Sequence, residues 1–165
     1  MPYDFTKHID NQIFKIIAQA SKQLGYRSYV IGGYVRDILL CRPSNDIDVV
    51  TVGSGITLAK KVASLLPGKK EAKYYGAFGT AMINYKGMEV EFVGARRESY
   101  DRNSRKPVVE NGTLEDDQNR RDFTINAMAI SLNEDDFGAF VDPFNGMADL
   151  EELTIRTQQH TYSAA

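Results

Sequence analysis

The chain has 165 residues, 42% hydrophobic and 25% charged, with a net charge of -2; this is enough for one core, and it excludes a fibrous or disordered protein. The slightly acidic total also excludes a protein that coats nucleic acid by bulk attraction, so any such contact has to be local, as at Lys69, Lys70 and Lys73 or at Arg102, Arg105 and Lys106. One cysteine, Cys41, rules out an internal disulfide and a multi-thiolate zinc site, and with no apolar leader and no run near the ~18 residues of a membrane span the chain reads as cytoplasmic.

Apolar residues recur at three and four from Ile9 through Ile13, Ile16, Ile17 and Ala20 to Leu24, and Gly25 follows, which predicts an amphipathic helix with a glycine C-cap. Ser28 to Ile31 is a short strand stopped by Gly32-Gly33; Val35 to Leu40 is a helical turn or two, ended by the loop Arg42-Pro43-Ser44-Asn45. Asp46 to Thr51 alternates, with Ile47 and Val49 on one face and Asp46, Asp48 and Val50 on the other. A second helix carries Leu58, Ala59, Val62, Ala63 and Leu66 and stops at Pro67-Gly68. Two strands, Thr80 to Tyr85 and Met88 to Val93, flank a Lys86-Gly87 hairpin turn. Asn103 to Gly112 reads as a polar loop and Glu115 to Leu132 as helix. A strand and turn at Phe140 to Gly146 lead into a short helix around Leu150. The fold class is α+β, helices and hairpins around one mixed sheet.

Two carboxylates at i and i+2 of a strand, Asp46 and Asp48, share a face about 7 Å apart, and a hard cation such as magnesium takes oxygen ligands of this kind completed by phosphates and water. Taken alone the pair reads more readily as a polar strand edge. The glycines of Gly32-Gly33 let a ligand approach bare backbone, and Arg36 lies one helical turn further on, suited to phosphate. Glu91 points off the same face as Glu89, so if its strand neighbours Asp46 to Thr51, a third acid joins the pair, as two metal ions clamping a phosphoryl displacement require. In Arg120 to Ala127, "RRDFTINA", the polar residues do not gather on one solvated face; they pair with each other and with Asp117, or they present a polar patch to a nucleotide.

These residues resemble the bacterial-type (class II) tRNA nucleotidyltransferase and poly(A) polymerase family, in the DNA polymerase β nucleotidyltransferase superfamily. The matching runs are Gly32-Gly33-Tyr34-Val35-Arg36-Asp37, Asp46-Ile47-Asp48-Val49-Val50-Thr51, Phe78-Gly79-Thr80, Val90-Glu91-Phe92 leading to Arg96, Arg120 to Ala127, and Asp142-Pro143-Phe144 with Gly146. The resemblance implies a catalytic head domain over residues 29–157, with 1–28 an N-terminal helix packed on it and 158–165 the start of a neck. It implies magnesium, as a two-metal site, on Asp46 and Asp48, with Glu91 the third catalytic carboxylate. Gly32, Gly33 and Arg36 would bind the triphosphate, and Arg121, Asp122 and Asn126 would lie beside the sugar and phosphates. The implied reaction joins a nucleotide from ATP or CTP to the 3'-hydroxyl of tRNA or another RNA; DNA and membranes are not expected partners. The family continues into a neck that reads the base and a body that holds tRNA, so the chain is expected to be a head fragment, binding nucleotide weakly and adding it poorly on its own. A poly(A) polymerase of the same family and a non-catalytic nucleotide- or RNA-binding module are the rival readings.

Overall fold

The computed structural model describes residues 4–68, 72–75, 79–100, 107–152, 154–156 and 161–163. A single 3-10 turn at Thr6–Ile9 precedes helix α1 (Gln12–Leu24), which starts where the Asn11 side chain accepts the Phe14 N–H. It ends at Gly25, left-handed at φ 71°, where the amides of Gly25 and Tyr26 return to the carbonyls of Lys22 and Ser21. Strand β1 (Arg27–Ile31) leads through Gly32 into α2 (Gly33–Leu39), then β2 (Asp46–Val52) and α3 (Gly55–Leu65), whose N-cap is Ser54. Next come β3 (Lys73–Tyr75), β4 (Thr80–Tyr85), β5 (Met88–Gly94), β6 (Arg96–Tyr100) and β7 (Pro107–Asn111). The chain closes with α4 (Leu114–Asn119), a 3-10 turn at Thr124–Asn126, β8 (Ala129–Ser131), β9 (Phe140–Val141), α5 (Gly146–Glu151), β10 (Thr154–Arg156) and β11 (Thr161–Ser163).

Seven strands form one sheet in the order β3-β4-β5-β2-β1-β8-β9, antiparallel except for the parallel pair β2 and β5, so the expected mixed sheet is present. The hairpin turn has positive φ at both Lys86 (49°) and Gly87 (81°), as a two-residue turn that follows strand twist requires. One face of the sheet carries the main core, where Val30, Ile47, Val49, Val90, Phe92 and Ile130 meet α1 and α3. The other holds a smaller apolar patch of Ile31, Val50, Ala95 and Ala129. No helix of the described residues is long and apolar enough to cross a membrane.

Two expectations are corrected. The helix expected from Glu115 to Leu132 is three pieces: α4 stops at Asn119, a 3-10 turn follows, and 129–131 is strand. The apolar run Met128-Ala129-Ile130 comes from burial on both faces, with Met128 and Ile130 in the main core and Ala129 in the smaller patch, and such a run has no period that separates strand from helix. Within the loop expected at Asn103 to Gly112, residues 107–111 are strand β7, paired with β6. Lys69, Lys70, Phe78, Arg102, Arg105, Lys106, Thr157 and 158–160 lie outside the described residues, while Lys73 is exposed at the start of β3.

Candidate functional site

β1 ends at Ile31, which pairs with Asp48 on β2, and the chain then turns at Gly32 with φ 82° and ψ -139°, a backbone state that favours glycine strongly. The Gly32 N–H donates to the Met128 carbonyl at 3.2 Å. A Cβ on Gly32 would stand 3.5 Å from Arg121 Nη1 and 3.8 Å from both the Asn126 carbonyl and Asp48 Oδ2, so four residues singled out from sequence meet around one bare backbone atom. A Cβ on Gly33 would stand 3.2 Å from Arg36 Nη2, because the guanidinium folds back over its own helix start. Arg36 Nη1 donates to Asn126 Oδ1 at 3.2 Å and its Nε to Asp37 at 3.2 Å.

The parallel register sets Asp46 beside Glu89 and Asp48 beside Glu91, on the sheet face opposite the main core. Burial pushes the Asp48 carboxyl above the ordinary carboxylate range; Asp46 pushes it the same way and Arg121 opposes both. Burial likewise raises Glu91, with the charge of Asp48 adding to it and Arg96 opposing. No hydrogen bond from the described residues reaches the Asp46, Asp48 or Glu91 carboxyl groups. Acids that repel one another and lack donors fit a cation. The register thus brings the predicted third acid alongside, yet among the described residues no three acidic, histidine or cysteine side chains gather closely enough to hold one ion. The acids present suit a hard divalent cation that takes one or two carboxylates and completes its shell with other oxygens.

Arg121 is aimed by Asp117, whose carboxylate is fully buried. Its Oδ2 accepts from Arg121 Nε and Nη2 at 3.2 and 3.1 Å, and its Oδ1 accepts from Arg120 Nε and Nη2 at 3.1 and 3.0 Å. Of the two readings of "RRDFTINA", the pairing with Asp117 is present, and it leaves Arg121 Nη1 facing Gly32. The sequence signal for Asp117 was its spacing of three and four from the two arginines on a helix end. Asp122, by contrast, is exposed, and among the described residues no hydrogen bond or ion pair joins it to the others.

The site is thus a strand pair bearing acids without donors, beside a glycine turn with two arginines, in an α+β fold. Residues 28–156 match the poly A polymerase head domain family, and the chain belongs to that family. It is 45% identical over 130 residues to the A-adding tRNA nucleotidyltransferase of Aquifex aeolicus, covering 79% of this chain and 16% of that protein. Its fold overlays a tRNA nucleotidyltransferase solved with a primer tRNA and an incoming ATP analog at TM-score 0.74 and 40% identity, over 86% of this chain and 38% of that one. An apo CCA-adding enzyme overlays at TM-score 0.81 and 35% identity, over 95% and 38%. The chain therefore spans well under half the length of each. Nucleotidyltransferases of this kind are generally metal-dependent.

Proposed function

We propose that this chain is the catalytic head of a template-independent RNA 3'-end nucleotidyltransferase that moves a nucleoside monophosphate from ATP or CTP to the 3'-hydroxyl of tRNA, releasing pyrophosphate. The observation that carries it is the meeting of Gly32, Asp48, Arg121 and Asn126 within 4 Å of one point. Asp46, Asp48 and Glu91 would hold magnesium, as a two-metal site completed by the substrate; when bound, the metal supplies charge stabilisation at the attacking and leaving oxygens. Gly32 and Gly33 would admit the triphosphate against bare backbone, with Arg36 offsetting its charge. Arg121 and Asn126 would orient the sugar and α-phosphate, with Asp122 beside the ribose. Glu91, whose carboxyl is raised above the ordinary range by burial, would take the proton as the 3'-oxygen bonds to the α-phosphorus and the bond to the pyrophosphate oxygen breaks. In this reading residues 29–157 are the head, 1–28 pack on it, and 158–165 begin a neck.

The test is magnesium-dependent incorporation of labelled ATP and CTP onto a tRNA lacking its 3' end. This chain, its Asp48→Ala variant and a chimera carrying the rest of the Aquifex aeolicus relative are compared. Incorporation by the chimera that Asp48→Ala abolishes supports the transferase; use of CTP favours CCA addition, and ATP alone favours A addition or polyadenylation. No incorporation with nucleotide still bound favours a binding module.

A further inference from the structure

We infer that Asp149, on α5, is a positioning residue for Arg36, acting through Thr124 and Asn126; the inference rests on the reading of Arg36 as a triphosphate ligand. Asp149 is 2% exposed and Thr124 3% exposed, and the Thr124 hydroxyl donates to Asp149 Oδ2 at 2.6 Å. Thr124 opens the three-residue turn that ends in Asn126, whose Oδ1 receives Arg36 Nη1. Within that turn the local bonds are Asn126 N–H to the Phe123 carbonyl and Ala127 N–H to the Thr124 carbonyl. So short a 3-10 turn has little stiffness of its own, and its place is set from outside.

Helix α5 is what sets it. The Asp142 carboxylate accepts the first amides of α5, Gly146 at 2.7 Å and Met147 at 3.0 Å. Gly146 then lies so close that a Cβ on it would stand 2.4 Å from the Thr124 carbonyl oxygen and 2.9 Å from its carbon. The turn is therefore gripped twice, by a backbone contact that only glycine allows and by a charged hydrogen bond. A buried carboxylate costs more than an apolar side chain of its size, and its strong, directional acceptor is what an apolar residue cannot supply. Arg36 is long and one-third exposed, and without a fixed Asn126 its guanidinium keeps only the bond from Nε to Asp37 and loses the one at Nη1.

The experiment uses the 165-residue chain and two independent disturbances of the turn, Thr124→Val and Gly146→Ala; the second keeps both members of the Thr124–Asp149 hydrogen bond. Two quantities are read: the NMR signals of the Arg36 Nε–H and Asn126 side-chain amide in the nucleotide-free chain, and the affinities for Mg-ATP and for AMP. Both variants are expected to shift and broaden the two signals and to weaken Mg-ATP about tenfold, the loss of one charge-assisted hydrogen bond, while AMP changes less than twofold. Thr124→Ser, which keeps the hydroxyl, is expected to restore both. Unchanged Arg36 and Asn126 signals in folded Gly146→Ala overturn the inference, as does equal loss of ATP and AMP. If the parent chain binds no Mg-ATP, the reading of Arg36 as a phosphate ligand fails, while the NMR arm still decides whether α5 positions it.

Discussion

The two ends of the β1–β2 pair are built from polar residues in opposite ways. At the Arg27 end the polar partners are matched: Arg27 pairs with Asp135 and Asp136 at the rim, and behind it the Ser28 hydroxyl donates to Thr51 Oγ1 at 2.9 Å, Thr51 donates to the Arg27 carbonyl, and Asn133 takes the Ser28 N–H and returns an N–H to its carbonyl. Ser21, Ser28, Thr51, Ser131 and Asn133 are all buried there. At the Gly32 end the groups are charged and mismatched, with Asp48 and Glu91 raised by burial and by neighbouring acids and left without donors from the described residues. A satisfied buried network fixes a fold, whereas an unsatisfied charged one stores a demand that a ligand meets.

The comparison breaks if the two ends respond alike. Asp117→Ala strands two arginines and is expected to cost about 3–5 kcal/mol in urea unfolding; a cost under 1 kcal/mol would mean that Arg120 and Arg121 do not depend on it. Asp48→Asn is expected to lower nucleotide transfer by the chimera about a hundredfold or more while raising the stability of the chain. The sign follows from the raised carboxyls of Asp48 and Glu91: the folded state binds protons more readily than the unfolded one, so their charges oppose folding. That opposition is absent below the ordinary carboxylate pKa and complete above the raised folded values. Lowering the pH from 7 toward that range should therefore relieve it, and Asp48→Asn should flatten this part of the urea-midpoint profile. Gly32→Ala, forced into a glycine-favoured backbone state, is expected to cost about 2 kcal/mol and to weaken Mg-ATP binding by covering the bare backbone that would admit the triphosphate. Ser28→Ala is expected to cost only about 1 kcal/mol and leave Mg-ATP affinity unchanged; a matching loss of affinity would show the two ends to be one unit.

Much of this was legible because the period-two alternation in Asp46 to Thr51 and Met88 to Val93 assigned faces, and the structure keeps those faces. Gly25 and Lys86-Gly87 marked element ends by backbone chemistry that needs no tertiary partner. The segment from Glu115 to Leu132 misled because its composition favours helix locally, while burial of Ala129 and Ile130 on opposite faces decides for strand and is a tertiary fact. The site followed the same division. Asp46, Asp48, Gly32 and Arg36 stood out over one short stretch. Asn126 at Arg36, and Asp149 behind Thr124, join residues far apart in sequence, and only the folded chain places them together.

The parallel pairing of β2 with β5 also carries a consequence in time. Parallel neighbours cannot be joined by a tight turn, so Glu91 reaches Asp48 only after α3, β3 and β4 have been traversed, a closure of about 40 residues. The two aspartates need only β2 to lie together, whereas the third acid waits on a long-range pairing, the slow kind of step in folding. A chain emerging from synthesis therefore has its aspartate pair in hand before Glu91 can join it, and Glu91 arrives only once the crossover has closed.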